Sequence, residues 1–301
     1  MKLSLKLFFI FSLLFLALPA LAKEESPDIK IEAKIAKSGY IGEVFVYEVS
    51  LKSTSPDISN VRILKNANFP EGVRVINGAV NNNRPETIKE KGKTYYRWTI
   101  HRSFLIPSTA GKKSIGDAKY VVFIPHEKMV YHGFWGPRRT VEYEEVTVDC
   151  KGTVFKVNPL PAGSRKSDFS GCVGSFKVEG WFPPGKITTG REAYAIFSIS
   201  GTGSLKDIMI PNISKLFGNG CRLKEVDQSE EQSQRNGQLF SEVTLTCRFI
   251  PESEDFRIEP LTLQFFNPED GKYYETGSEA LQWTSHPNEK KTANPKDVIE
   301  I

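Results

Sequence analysis

The sequence is poor in the residues on which common catalytic sites depend. It has only 4 His, 4 Cys and 3 Met among 301 residues. The cysteines form no Cys-x-x-Cys pair, the arrangement that lowers a thiol pKa in redox enzymes. No nucleophile elbow, P-loop or dinucleotide-binding glycine motif follows a strand and opens a helix. These absences predict a protein that is not an enzyme and that holds no cofactor.

An excess of charge of one sign is also missing. The 40 Lys and Arg face 36 Asp and Glu, so we expect no nucleic-acid partner. The one histidine cluster, His126 and His132, has a spacing of six instead of the four of a zincin helix, which argues against metal. Glu142, Glu144 and Glu145 lie on an alternating segment, and we interpret them as a solvated sheet face.

Long apolar runs are absent after residue 23, so we expect no transmembrane helix in the mature chain. The exception comes first: residues 1–22 have Lys2 and Lys6, an apolar run and then Ala20-Leu21-Ala22, the pattern of a signal peptide cleaved after Ala22. An uncleaved anchor is the alternative. The leader predicts an exported, periplasmic protein, in which cysteines can be oxidised.

What the sequence does contain favours β-structure. It has 20 Phe, 10 Tyr and 4 Trp with 23 Gly and 18 Pro, a mixture typical of short strands joined by turns. Alternating segments recur in two copies offset by about 148 residues, so that Phe45, Tyr47 and Val49 correspond to Ala193, Ala195 and Phe197. The pattern predicts an all-β fold of two tandem immunoglobulin- or fibronectin-like β-sandwich modules.

The repeat also predicts the domain boundaries. The first module spans 27–157 and the second 173–285. Between them lies a proline-rich linker, 158–172, in which Pro159 and Pro161 favour an extended path. The polar residues 286–301 are expected to form a tail.

Two disulfides are predicted. If the runs Cys221–Asp227 and Gln238–Arg248 flank the polar loop 228–237 as a hairpin, Cys221 lies opposite Cys247 with both side chains on one face. A bond between Cys150 and Cys172 would fasten the linker. Buried free thiols are the alternative for this second pair.

One segment has no counterpart in the second copy. It contains Phe134, Trp135, Arg138 and Arg139 within a loop framed by Gly and Pro, a composition typical of interface hot spots. We therefore predict that these four residues bind a partner. The alternative is a hairpin tip whose Trp135 folds back onto its own module.

The junction between the copies resembles a known family. Asn158-Pro159-Leu160-Pro161 followed by Phe169-Ser170-Gly171-Cys172-Val173-Gly174-Ser175-Phe176 is similar to the junction motif of the BatD family, exported proteins of aerotolerance (Bat) operons. Gly190-Arg191-Glu192, Ile199–Ser204 and Ile210-Pro211 resemble that family's next strand pair, although we interpret Gly201-Thr202-Gly203 as a turn. Family members commonly have a later transmembrane helix. No such helix follows the second module here, which puts membrane anchoring in doubt.

The resemblance implies a non-enzymatic protein of the periplasm. It implies partners of the von Willebrand A-domain type in the membrane and, indirectly, a MoxR-type ATPase. We therefore expect an interaction component of a Bat-type assembly. The alternative function is a periplasmic small-ligand or glycan-binding β-sandwich module that uses exposed aromatic residues.

Overall fold

The computed structural model of the protein describes residues 26–80, 84–131, 133, 136–206, 208–210, 212–218 and 220–284. Nearly all of their regular structure is β-strand, and the longest helical segment among them is a 3₁₀ turn at Ile213–Leu216. The all-β prediction is therefore confirmed. The predicted signal peptide and the predicted tail lie outside the described residues.

The strands fall into two halves of the chain. The first half, residues 29–158, contains β1 Ile29–Lys34, β2 Ser38–Tyr40, β3 Phe45–Ser53, β4 Asn60–Lys65, β5 Val73–Asn77, β6 Glu86–Glu90, β7 Lys93–Pro107, β8 Gly111–Ile115, β9 Ala118–Tyr131, β10 Pro137–Cys150 and β11 Thr153–Asn158. The second half, residues 172–284, contains β12 Cys172–Trp181, β13 Ala193–Ser204, β14 Cys221–Arg235, β15 Gln238–Pro251, β16 Asp255–Ile258, β17 Thr262–Asn267, β18 Lys272–Gly277 and β19 Leu281–Thr284.

Each half has one principal sheet with a similar strand order. In the first half the order is β1-β3-β7-β5, with β6 also on β7, and β10-β9-β4 and β2-β11-β8 form two further sheets. In the second half the order is β14-β15-β13-β12-β17-β18, and β16 pairs with β19. In both halves a central antiparallel pair, β3 with β7 or β13 with β15, therefore holds the sheet together.

Two separate hydrophobic cores follow from the alternation of the strands. The inward faces of β3 and β13 are buried as the sequence predicts, with Phe45, Val49, Phe197 and Ile199 each at most 1% exposed. The first core joins β3 and β7 to side chains from β8 to β11, and the second joins β12, β13 and β15 to β16 and β17. In each core a sheet buries one face against another layer, as in folded domains generally.

Corresponding loops of the halves are tied down by the same backbone hydrogen bonds. The Gly42 N–H donates to the Pro107 carbonyl and the Gly190 N–H to the Pro251 carbonyl, each at 2.8 Å. At a second position the carbonyl of Gly72 accepts from the Ser108 N–H, just as the carbonyl of Gly220 accepts from the Glu252 N–H. These bonds lie at the positions that the sequence repeat aligns.

The hairpin of β14 and β15 differs from the predicted one. Its strands continue to Arg235 and Gln238, so the segment predicted as a loop is mostly strand. The turn is Asn236-Gly237, with φ values of 50° and 79°, the left-handed conformation that a two-residue type I′ turn requires. This tight turn sets the register, which places Cys221 opposite Pro251 rather than Cys247.

The halves contact each other across the outer face of the first principal sheet. Leu239 of β15, 3% exposed, packs against Phe104 and Ile106 of β7. The side-chain amide of Gln234 accepts from the backbone N–H of Ala79 at 2.8 Å and donates to its carbonyl at 3.0 Å. The tip of the β14–β15 hairpin is thereby held against the first half.

Candidate interaction surface

The hairpin of β9 and β10 is the largest difference between the halves. It pairs over fourteen residues from Ala118 and Cys150 to Tyr131 and Pro137, whereas the β17–β18 hairpin pairs over six. β4 covers β9 only as far as Phe123. The remaining eight residue pairs, at about 3.4 Å per residue, project roughly 25 Å beyond the rest of that sheet.

One face of the projecting hairpin carries four exposed apolar side chains, together with the ion pair of Glu127 and Arg139. Opposing residues of an antiparallel pair point to the same face, and the register puts Met129, Tyr131, Val141 and Tyr143 together. Their exposures are 54%, 79%, 50% and 56%. We call these four residues the apolar hairpin face. Single exposed apolar residues are common, but several on one projecting face are typical of a binding surface.

The opposite face of the hairpin is charged. His126 Nε2 lies 2.9 Å from Glu144 Oε2, and Lys128 Nζ donates to Glu142 Oε1 at 2.9 Å. These pairs are exposed, so each contributes little to stability. The charged side chains keep this face of the hairpin hydrated. The apolar hairpin face is therefore the side suited to a protein partner.

The four predicted partner-binding residues fall at the end of this hairpin. Arg138 and Arg139 are exposed residues of β10, opposite Val130 and Met129. The Arg139 guanidinium donates to Glu127 Oε2 at 3.3 Å on the same side of the hairpin as the apolar hairpin face, since Arg139 lies opposite Met129. Phe134 and Trp135 lie outside the described residues, so the fold-back alternative for Trp135 stays open.

Both predicted disulfides are wrong, because Cys150, Cys172, Cys221 and Cys247 are all free and buried. Cys221 and Cys247 are separated by about four residues along the hairpin, roughly 13 Å by strand rise, well beyond the reach of a disulfide. Cys150 belongs to the first core and Cys172 to the second, so their side chains lie in different packing environments.

Burial makes these thiols unreactive. It raises the pKa of Cys172 to about 11 and that of Cys247 to about 12, because the apolar surroundings disfavour the thiolate. A thiolate is the nucleophile and the metal ligand, so thiols held protonated at neutral pH pack as small apolar groups. Their surroundings fit a structural role in the two cores.

The sequence argues against a metal site at His126 and His132. His126 is engaged with Glu144, and His132 lies outside the described residues. Among the residues that the structure describes, no group of three or more His, Cys, Asp and Glu side chains is arranged to hold a metal ion.

The residues of the junction motif gather at a second feature, a cleft between the halves. Val173, Gly174 and Ser175 of β12 and Thr202 and Gly203 of β13 line one wall. The predicted turn at Gly201-Thr202-Gly203 is wrong, since these residues belong to β13. Gly174 lies opposite Gly203, and a Cβ on Gly174 would come within 2.1 Å of the Thr202 carbonyl oxygen. The glycines therefore allow a close approach of backbones at this wall.

The other wall of the cleft comes from the first half. It includes Glu43, Val44 and Val46, and the mouth is closed by Asn267 and Glu269 of the β17–β18 turn. The Glu43 carboxylate accepts from the Tyr40 N–H at 2.8 Å, and burial raises its pKa. The cleft has a volume of about 160 Å³.

Sequence analysis missed the apolar hairpin face although a signal was present. Tyr131 and Tyr143 lie on strands of fourteen residues each, β9 and β10, in which apolar side chains recur on one face. An alternating pattern does not tell which face has a covering layer. The comparison of the two copies pointed to the extra segment around Arg138 and Arg139 but not to the apolar residues of the strands that carry it.

Known proteins add no assignment to this geometry. No protein-family model matches the sequence, and no curated protein matches it either. Within the described residues, no helix is long and apolar enough to cross a membrane.

Proposed function

We propose that this protein is an exported, non-enzymatic interaction component of a Bat-type envelope assembly. In this proposal it works in the periplasm and binds a membrane protein with a von Willebrand A domain, which in turn works with a MoxR-type ATPase. The observation that carries the interaction role is the apolar hairpin face: four large side chains, exposed on one side of a hairpin that projects roughly 25 Å.

The fold proposed with this function is a tandem of immunoglobulin-like modules. Support comes from the two cores, the shared strand order of the principal sheets and the matching hydrogen bonds of Gly42 and Gly190. Scaffolds of this type place binding residues on loops and hairpins at the ends of rigid sheets. A hairpin elongated in one copy alone is consistent with that use.

The relation to the BatD family is part of the proposal. Support comes from the position of the junction motif, because Val173 and Gly174 lie where the halves meet rather than on a free loop. A motif that determines how two modules pack is expected to persist in a family whose modules act as one unit. The protein partner is accordingly assigned to the hairpin rather than to the motif.

The test is co-purification from the envelope fraction. A double variant, Met129→Ser with Tyr131→Ser, should lower recovery of the von Willebrand A-type protein, since loss of an interface hot spot costs about 2 kcal/mol, or about thirtyfold in affinity. Mass spectrometry with isotope-labelled standards measures the recovery.

The matched control is Tyr194→Ser. Tyr194 is an aromatic residue of similar exposure, 47%, on β13 of the second half. Recovery should be unchanged for this variant. Equal recovery for the double variant and the parent chain, with both folded by circular dichroism, would overturn the assignment of the partner to the apolar hairpin face.

A second candidate function is binding of a small ligand or glycan, and the cleft between the halves favours it. Its volume of about 160 Å³ is smaller than that of sites for drug-sized ligands, so only a small ligand or one group of a larger ligand would fit. Val46 and Leu239 supply apolar surface, while Glu43, Gln238 and Asn267 supply polar groups. A ligand that raises the melting temperature of the parent chain but not of Ser175→Tyr, which fills the cleft, would support this function.

A further inference from the structure

The projecting part of β10 has a long open edge. In the sheet β10-β9-β4, β10 lies at the edge and no described strand pairs with its free side, although β1 contacts β10, with Glu32 near Cys150. Its fourteen pairs with β9 run without a register shift, so the strand has no bulge. Its one proline, Pro137, is its first residue. Bulges, prolines and covering segments are the usual means by which proteins prevent such an edge from pairing.

The other long edge strand, β14, has these protections. A bulge interrupts its pairing with β15 between Leu223 and Glu225. Its far end is fastened to the first half through Gln234. Glu230 and Glu231 carry like charge at adjacent positions near the middle of the strand, which would repel in a pair of two such strands. The contrast singles out β10 as an edge open to pairing.

The charges of β10 are ordered along the strand. Arg138 and Arg139 stand near its beginning, whereas Glu142, Glu144 and Glu145 stand further on. A second copy of β10 laid antiparallel reverses this order, so that its acidic part faces the basic part of the first copy. The strand is thus complementary to itself in the antiparallel sense, and not in the parallel sense.

We propose that β10 pairs antiparallel with β10 of a second copy of this chain, with the twofold axis at Val141. Two identical antiparallel strands are related by an axis perpendicular to the sheet, so the residues paired must point to the same face. With the axis at Val141, Arg138 of each copy lies opposite Glu144 of the other, and Arg139 lies opposite Tyr143.

Arg138 and Glu144 are available for the pairing in the single chain, whereas Arg139 would exchange its exposed contact with Glu127 for the Tyr143 ring. Arg138 makes no ion pair with any described residue, and Glu144 has only the exposed contact with His126. Opposite charges directly across an antiparallel pair stabilise it. An Arg139 guanidinium over the Tyr143 ring adds a cation–π contact on the other face. Every second residue of 137–145 would gain partners for its backbone groups, because the residues between them already direct theirs towards β9.

The pairing goes beyond the proposed function and also bears on it. Because the axis is perpendicular to the sheet, the apolar hairpin faces of the two copies join on one side of a four-stranded ribbon β9-β10-β10-β9. A pair of nine-residue strands is roughly 30 Å long and smaller than a standard stable interface. We therefore expect a dimer that dissociates on dilution.

The test is sedimentation equilibrium of the full chain over a series of concentrations. The parent chain should dimerise, and Arg138→Glu or Glu144→Arg alone should raise the dissociation constant at least about tenfold, because like charges then face each other. An equimolar mixture of the two single variants should dimerise again, since each chain then supplies the charge that the other requires.

The mixture also guards against misfolding, because a variant that does not fold cannot be rescued by its partner. Lys224→Glu, an equivalent reversal on the edge of β14, is the control and should leave the dimer unchanged. A parent chain that is monomeric at every concentration would overturn the proposal, and so would a dimer that neither single variant weakens.

The outcome is separable from that of the proposed function. The double variant Met129→Ser with Tyr131→Ser leaves the β10 edge intact and should still dimerise, whatever its effect on recovery of the membrane partner. A charge-reversed monomer that still recovers the partner would retain the proposed function and remove the need for the dimer in it.

Discussion

The two halves of the molecule have similar cores but hairpins of different length. In both, a central antiparallel pair buries one face in a hydrophobic core, and the same hydrogen bonds hold the loops at Gly42 and Gly190. The hairpin after that common part pairs over fourteen residues in the first half and over six in the second. The comparison shows that the two halves share the hydrophobic core and the hydrogen bonds that hold the loops. They differ in the length of the hairpin.

The largest effect is expected from a core substitution in the second half. Phe249 is fully buried and contacts the rings of Phe182, Phe217 and Phe256. Phe249→Ala should lower the free energy of unfolding by about 3–5 kcal/mol, because the cavity is lined by rigid rings.

Urea unfolding followed by tryptophan fluorescence measures this loss. Leu105→Ala, a fully buried residue of β7 in the first half, is the parallel variant and should cost about 2–5 kcal/mol. If either variant unfolds with no loss of stability, that half is not held by its own core and the comparison of two equivalent scaffolds fails.

The next effect tests how firmly the halves are joined. Leu239→Ala removes the side chain that packs on Phe104 and Ile106, and should cost about 2–3 kcal/mol. The variant should weaken the contact between the halves, so that they unfold less cooperatively. The urea transition is therefore expected to broaden or split in two.

A single sharp transition with unchanged midpoint would mean that Leu239 contributes no coupling. Tyr194→Ala, exposed on β13, serves as the control and should change stability by less than about 0.5 kcal/mol.

A smaller effect is expected from substituting Gly203, a glycine of β13 that lies close to the backbone of β12. Gly203 has a φ of 129°, and a Cβ there would meet the Val173 carbonyl oxygen at 2.5 Å. Gly203→Ala should lower stability by about 1–3 kcal/mol through backbone strain and movement of β12.

The matched control is Gly163→Ala, which has no heavy atom within 4 Å of its added Cβ and no positive φ. It should leave the melting temperature unchanged or slightly higher. Equal behaviour of the two variants would show that the close approach of β12 and β13 is not required.

The smallest effect concerns pH and the buried thiols. Burial raises the pKa of the Cys247 thiol to about 12 in the folded chain. A group whose pKa is raised by folding contributes its full stability below the unfolded pKa and loses it as the pH rises towards the folded one. Between pH 9 and pH 10 the parent chain should therefore lose roughly 1 kcal/mol more than Cys247→Ala.

Urea unfolding at the two pH values measures the difference in slope. Adding a reductant should not change the melting temperature of the parent chain, since all four cysteines are free. A fall in melting temperature with reductant would contradict the free thiols, and equal pH slopes would contradict the burial of Cys247.

Much of the fold was predictable, including parts that were predicted wrongly. Asn236-Gly237 is the strongest short-range hairpin signal in the second half, and placing the turn there sets the observed register without any tertiary information. The register predicted from Cys221 opposite Cys247 is wrong, because it ignores this turn. The nearness of Arg102 of the first half to Gly237, in contrast, depends on how the halves meet and had no local signal.

The sequence by itself determined which side chains of each strand are buried, because side chains alternate between the faces of a strand. On β15 every second residue from Leu239 to Pro251 is buried, as the alternation predicts. Only the tertiary structure decided what covers them. Val243 and Phe249 enter the core of the second half, whereas Leu239, on the same face, packs against Phe104 of the first half. An alternating pattern specifies burial but carries no information about the partner, since the hydrophobic effect has no direction.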